Sequence, residues 1–292
     1  MKTRGIGGRR GLWILGGVLI VGTMIGPACS LSPRKEAEGP PIVGTTRGQS
    51  PPLSWTAKDI EAFLGEARVA VVEKDVESGR TMPWRVTLDD GRIKARALFK
   101  YINRPGVPPI RHSFRYELAA YSLSRLLELE IVPPVVEREI EGTAGALQWY
   151  VENCLSERDR ERTRKEPPDL QAFLQRLDVI QVFEALVNDE CGDKDDTLIH
   201  LDTWKICRID FAGAFGPTRT IAPACSLQRC SRELFNRLNR LTREALADRL
   251  GNYLSLEEIK AIFERQQRIV EHLKALIKDK GEPAVLFAEK KP

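Results

Sequence analysis

Asp89-Asp90-Gly91-Arg92-Ile93-Lys94-Ala95-Arg96-Ala97-Leu98-Phe99-Lys100 is the stretch on which the fold turns. Asp-Asp-Gly between two apolar runs signals a hairpin, because glycine takes the positive φ of a tight turn without strain. The runs Trp84 to Leu88 and Arg92 to Tyr101 are therefore expected to pair antiparallel, with Lys100 at the far end of the second. Val69 to Glu73 reads as a preceding strand, and Thr56 with Asp59 as the capped start of a short helix before it. Downstream, Leu118, Tyr121, Leu123 and Leu126-Leu127 form a helical stripe over Arg115 to Leu129, with Glu117 in its first turn. Val135 to Ile140 and Ala146 to Val151 complete a small sheet.

The second half reads as helical. Asp169 after Pro167-Pro168 is placed to cap a helix through Val187, with Leu170, Phe173, Leu174, Leu177, Ile180, Phe183 and Leu186-Val187 on one face. Ser255 and Glu258 form a capping-box pattern, opening a helix to Lys280 before Gly281. Glu157 to Lys165 is almost wholly charged and reads as a solvated loop or frayed helix. Arginines recur from Arg229 to Arg249, a solvated face in the plain reading and an acidic-substrate or lipid-headgroup surface in the sharper one.

The chain has 292 residues, 42% of them hydrophobic, enough for one large core or two lobes around a cleft. Its charge of +4 is a near-balance of 45 basic and 41 acidic residues, which gives no footprint for nucleic acid. At the N-terminus Lys2, Arg4, Arg9 and Arg10 precede the apolar run Gly11 to Ile25, and small residues lead to Cys29. This describes an export signal over residues 1–28, and it resembles the lipoprotein type, which implies a lipid on Cys29 and attachment to a membrane. The apolar run is shorter than the ~20 residues that span a bilayer. Residues 29–54, rich in Pro, Gly, Ser and Thr, read as a flexible tether. Among the other cysteines, Cys225 and Cys230 are close enough to pair, although spacing alone does not show that they do. No cysteine or histidine spacing suits zinc, and His112, His200 and His272 read as structural or solvated.

Lys100 ending a strand, Glu117 opening a helix, an acidic loop from Asp189 to Asp196 and Asp210 after a further strand follow one another in a set order. Phosphoryl-transfer chemistry uses a Lys on the phosphates, a Glu to hold the Lys, and carboxylates on a metal. The segments Gly79-Arg80-Thr81-Met82-Pro83-Trp84-Arg85, Ala97-Leu98-Phe99-Lys100, Arg115-Tyr116-Glu117-Leu118-Ala119-Ala120-Tyr121, Val132-Pro133-Pro134-Val135-Val136-Glu137-Arg138 and Ile209-Asp210-Phe211-Ala212-Gly213-Ala214-Phe215 carry a resemblance. In their order they resemble bacterial kinase-like proteins related in fold to HipA, to the phosphatidylinositol kinases and to the Four-jointed and Golgi casein kinase type of secretory kinase.

The resemblance implies an α+β, two-lobed protein-kinase-like fold. Residues 55–151 would form a small antiparallel sheet lobe with one helix, residues 152–286 a larger mainly helical lobe, and residues 287–292 a tail. It also implies ATP with Mg or Mn, nucleotide-binding roles for Lys100 and Glu117, and metal-binding roles for Asp210 and Asp196. An ungapped match of the loop Asn188-Asp189-Glu190-Cys191-Gly192-Asp193-Lys194-Asp195-Asp196 puts Cys191 at the catalytic Asp, and Cys191 has no carboxylate. A shifted register brings in Glu190 or Asp193, and Asp189 is the remaining acidic candidate. Three readings stand at this point: a pseudokinase or nucleotide-binding module, an active phosphotransferase with a displaced carboxylate acting on a protein or small molecule, and a structural lipoprotein.

Overall fold

The structure, a computed structural model, describes residues 55–74, 82–105, 112–189 and 191–289. The expected export signal, the tether, Cys29, Glu190 and the segment Gly79-Arg80-Thr81 lie outside the described residues. No helix of the described residues is long and apolar enough to cross a membrane.

The first part runs α1 (Ala57–Glu66), β1 (Arg68–Glu73), β2 (Trp84–Asp89), β3 (Lys94–Lys100), the short β4 (Asn103–Arg104) and β5 (His112–Ser113), α2 (Phe114–Leu126), β6 (Val135–Ile140) and β7 (Thr143–Trp149). Five of these strands make one antiparallel sheet in the order β1-β2-β3-β7-β6. The β2–β3 turn forms as its residues dictate: Gly91 has φ +88°, and Asp89 and Asp90 accept hydrogen bonds from the amides of Gly91, Arg92 and Ile93 at 2.7–2.8 Å. Pairing of Trp84 with Phe99 and of Lys100 with Ala146 sets the register that leaves Lys100 at a strand end. Gly145 lets β7 approach closely, since a Cβ there would stand 2.6 Å from the Lys100 carbonyl oxygen.

The second part runs β8 (Cys154–Ser156), α3 (Glu157–Thr163), α4 (Leu170–Val187), β9 (Thr197–His200), β10 (Ile206–Arg208), β11 (Cys230–Ser231), α5 (Arg232–Arg240), α6 (Arg243–Leu250), α7 (Leu256–Lys280), α8 (Glu282–Val285) and β12 (Leu286–Phe287). The architecture is thus α+β, an antiparallel sheet followed by a mainly helical part. Both expected caps are present: Asp169 accepts from the Ala172 amide, and Ser255 with Glu258 closes a capping box on α7.

Two sequence expectations are corrected here. The charged run after Ser156, expected as a solvated loop or frayed helix, is a capped helix, α3: Ser156 caps it, and buried Glu157 accepts two hydrogen bonds from Arg160 at 2.6 and 2.8 Å. Arg160 in turn lies 5.0 Å over the ring of Phe173, so paired charge and a cation–π contact replace the missing apolar stripe. On α4, Leu170 and Leu174 are about half exposed, and the buried face is carried by Phe173, Val179, Ile180, Val182, Phe183 and Leu186 instead.

Burial divides into two clusters. One lies on the sheet, with Phe63, Leu88, Ala97, Phe99, Leu147 and Trp149. The larger joins α4 and α7 and also takes in α2 through Tyr116, Ala119, Ala120 and Leu123. Lys100 therefore sits on a strand of the first cluster, whereas Glu117 sits on a helix seated in the second.

Candidate functional site

Lys100 is buried and donates to Glu117 Oε1 at 2.6 Å and to Asp210 Oδ1 at 2.9 Å. Three elements distant in sequence thus meet at one ammonium group. Glu117 is fully buried, and Asp210 is 43% exposed, so the assembly opens to solvent on the Asp210 side. Burial alone would pull the Lys100 pKa down, but the charges of Glu117 and Asp210 outweigh it and hold it above the ordinary lysine value. The Lys100 charge keeps the Asp210 carboxyl below its usual range. Burial pushes Glu117 up against the opposing pull of Lys100. A buried ion pair of this kind is a weak stabiliser, because the desolvation penalty consumes most of the Coulombic gain. Perturbed, partnered groups at a solvent-facing edge make this a candidate site.

Backbone geometry aims Asp210. Its φ of +62° is in the left-handed region that non-glycine residues seldom adopt, and Phe215 repeats the feature with φ +60°. The turn between them is anchored at both ends, by the Ser113 amide to the Ala212 carbonyl at 2.9 Å and by the Phe215 amide to Val187 at 2.6 Å. Phe211 and Phe215 are fully buried behind it.

The acidic loop is drawn to this turn by two connections. The Ile209 amide donates to the Asp196 carbonyl at 3.0 Å, which brings Asp196 beside Asp210. Arg208, 1% exposed, donates from Nε to Glu184 at 2.8 Å and from Nη2 to Asp189 at 2.8 Å, and its Nη1 lies 3.4 Å from Asp196. Burial pushes the Asp196 carboxyl up to about 6; Arg208 opposes that, and the neighbouring charges of Asp210 and Asp193 add to it.

The structure places the other loop candidates individually. Asp189 is paired with Arg208. Asp193 is half-buried in a local turn, its carboxylate accepting from the Asp195 amide at 2.9 Å. Cys191 is bonded to Cys225, with Cα atoms 5.2 Å apart, so the Cys225–Cys230 pairing considered from spacing does not occur and Cys230 is a free, buried thiol. A link across 34 residues leaves no local signature in sequence.

Two residues escaped the sequence reading. Arg208 looked like one arginine among many; its position two before Asp210, on a strand with apolar Ile206, was the available signal of burial. His112 lies near enough for its charge to lower the Asp210 pKa, and its Nδ1 is buried without a hydrogen-bond partner among the described residues. Three arginines of the arginine-rich stretch are paired with acids on other elements: Arg229 with Asp178, Arg232 with Glu282 and Arg237 with Glu128.

The donor set suits Mg or Mn, hard cations that one or two carboxylates hold together with phosphate oxygens. Asp196 and Asp210 are the residues that would provide those carboxylates. Among the described residues no group of three or more potential ligands is clustered.

No family model matches the chain, and no curated protein matches it. Among solved structures it is similar to the Helicobacter pylori proinflammatory kinase CtkA, with a TM-score of 0.45 and 7% identity, covering 74% of this chain and 98% of that one. It is also similar to CtTel1, as a complete C2-symmetric dimer and in the open conformation, with a TM-score of 0.35 and 15% identity in each case. Those matches cover 69% of this chain and only 12% of the CtTel1 chain.

Proposed function

We propose that this chain is a kinase-like protein that binds a nucleoside triphosphate with a divalent cation and transfers no phosphate. The observation that carries the reading is Lys100 held between Glu117 at 2.6 Å and Asp210 at 2.9 Å. Lys100 would face the phosphates, Glu117 would orient it, and Asp210 with Asp196 would hold Mg or Mn. The cation would supply neutralisation of phosphate charge.

Lack of transfer is supported by the fate of two candidate loop positions. Cys191 is committed to a disulfide, and Asp189 is committed to a buried guanidinium. Neither is available to orient and deprotonate a hydroxyl. A second reading, an active phosphotransferase on a protein or small molecule, rests on Asp193, whose charge reaches Asp196. The proposal further places the protein outside the reducing cytoplasm, exported and anchored to a membrane through a lipid on Cys29. The Cys191–Cys225 disulfide supports that placement.

Thermal unfolding with ATP and Mg or Mn tests the nucleotide site. At ~100 times the dissociation constant a ligand adds ~2.7 kcal/mol, or a rise of roughly 2 to 4 °C per kcal/mol for a protein of this size. The rise should require the metal and vanish in Asp210→Ala. A shift that survives that substitution refutes the site, and radiolabel transfer to any acceptor that is lost in Asp193→Asn refutes the non-catalytic reading.

A further inference from the structure

Arg208 is among the largest fully buried side chains of the described residues. A buried guanidinium must satisfy its donors, and this one does so on carboxylates from separate places: Glu184 within α4, Asp189 just beyond that helix, and Asp196 at the far end of the loop. Nη1 also donates to the Ile209 carbonyl. The second oxygen of Glu184 accepts from the Gly192 amide at 3.0 Å, which ties the middle of the loop to the same cluster. Both ends and the centre of the acidic loop are thereby referred to one planar cation, rooted by its own amide to the Ile131 carbonyl at 2.7 Å. Such a cluster contributes little net stability relative to apolar packing. What a rigid five-donor fork provides instead is position.

We infer that Arg208 is a positioning residue for the cation: it fixes, through Asp196, where a divalent cation is held, and it withdraws Asp189 from the available ligands. This rests on the nucleotide-and-cation reading above and names how the loop selects Asp196 over its acidic neighbours.

The test is a double-mutant cycle on Mn affinity, measured on the full protein with ATP present, for wild type, Arg208→Lys, Asp196→Ala and the combination. Lysine keeps the charge and cannot span three carboxylates. Loss of a group that orients a metal ligand typically weakens metal binding about 10- to 100-fold. Arg208→Lys should fall in that range, and in the Asp196→Ala background it should cost nothing further, because its effect passes through Asp196. An unchanged Mn affinity in Arg208→Lys, or losses that multiply in the double variant, overturns the inference. If Arg208→Lys does not fold, Asp189→Asn replaces it: it removes one anchor of the guanidinium at a less buried place, and the same non-additivity is expected and the same additivity overturns. Wild-type protein showing no metal-dependent ATP binding refutes the functional reading itself, and the inference falls with it. That outcome is read from wild type alone and so is distinct from a failed cycle.

Discussion

Asp196→Asn should make the ligand-free protein more stable, although it removes a charged partner of Arg208. The Asp196 carboxyl is pushed from 3.8 up to about 6, chiefly by burial. The folded state therefore holds this proton more tightly than the unfolded chain does. Stability falls as pH rises from about 4 through 6, and above that the cost of the ionised carboxylate is constant. Linkage converts the difference to about 3 kcal/mol at pH 7. With the side chain 27% exposed, solvent screening brings the expected gain for asparagine, which mimics the protonated form, to about 1 to 3 kcal/mol. At pH 5 the ionised fraction is small, and linkage leaves roughly half of that gain. Urea denaturation of both proteins at pH 7 and pH 5 gives the two numbers directly. Saturating ATP with Mg should narrow the difference, since the wild-type carboxylate holds the cation more tightly than the asparagine carbonyl does. A variant less stable than wild type at pH 7, or a gain that does not shrink at pH 5, refutes the reasoning.

Other perturbations follow from contacts described above. Gly145→Ala drives a Cβ to 2.6 Å from both the Lys100 carbonyl and the Phe99 ring, and should cost about 1 to 3 kcal/mol and weaken nucleotide affinity by moving Lys100; equal affinity in a titration would refute the second part. Replacing Cys191 and Cys225 by serine opens a loop of 34 residues and should lower unfolding free energy by about 4 kcal/mol in the chain-entropy account, as should dithiothreitol on the wild type; an unchanged denaturation midpoint would show that the pair does not form. Arg160→Ala removes both the Glu157 pair and the Phe173 contact, and hydrogen exchange over residues 157–163 should rise while exchange in α7 does not. Lys100→Ala strands the fully buried Glu117 and should destabilise by about 3 to 5 kcal/mol, together with loss of ATP binding; a stability within 1 kcal/mol of wild type would mean that Glu117 finds another partner.

The sheet was legible because its signals are local. A glycine turn fixes one hairpin, and alternating burial along β2, with Trp84, Val86 and Leu88 inward, is visible in the residues themselves. The helix ends at Asp169 and Ser255 were legible for the same reason, since a cap is written within four residues. Lys100, Glu117 and Asp210 could be singled out by their places at element ends, although their meeting at one ammonium is a tertiary fact. What stayed hidden is non-local. Helix α3 owes its burial to a ring on α4, the Cys191 partner lies 34 residues away, and Arg208 shows its importance only when Glu184, Asp189 and Asp196 surround it. The half-exposed Leu170 and Leu174 show the reverse failure, a periodic stripe that extends beyond what the core covers.

The seating of α2 in the larger cluster has a mechanical consequence. Glu117 stands on α2, which packs on β6 and β7 as well as on α6, while Lys100 stands on β3 of the same sheet, so the 2.6 Å bond ties the helix to the strand. A hydrogen bond weakens steeply once its heavy atoms pass about 3.5 Å. A displacement of the sheet by roughly 1 Å is then enough to release it, and release would leave a buried carboxylate unpaired. The ion pair thus fixes the seat of α2 on the sheet, and a ligand that bridges Lys100 and Asp210 would meet an ammonium group already held in place.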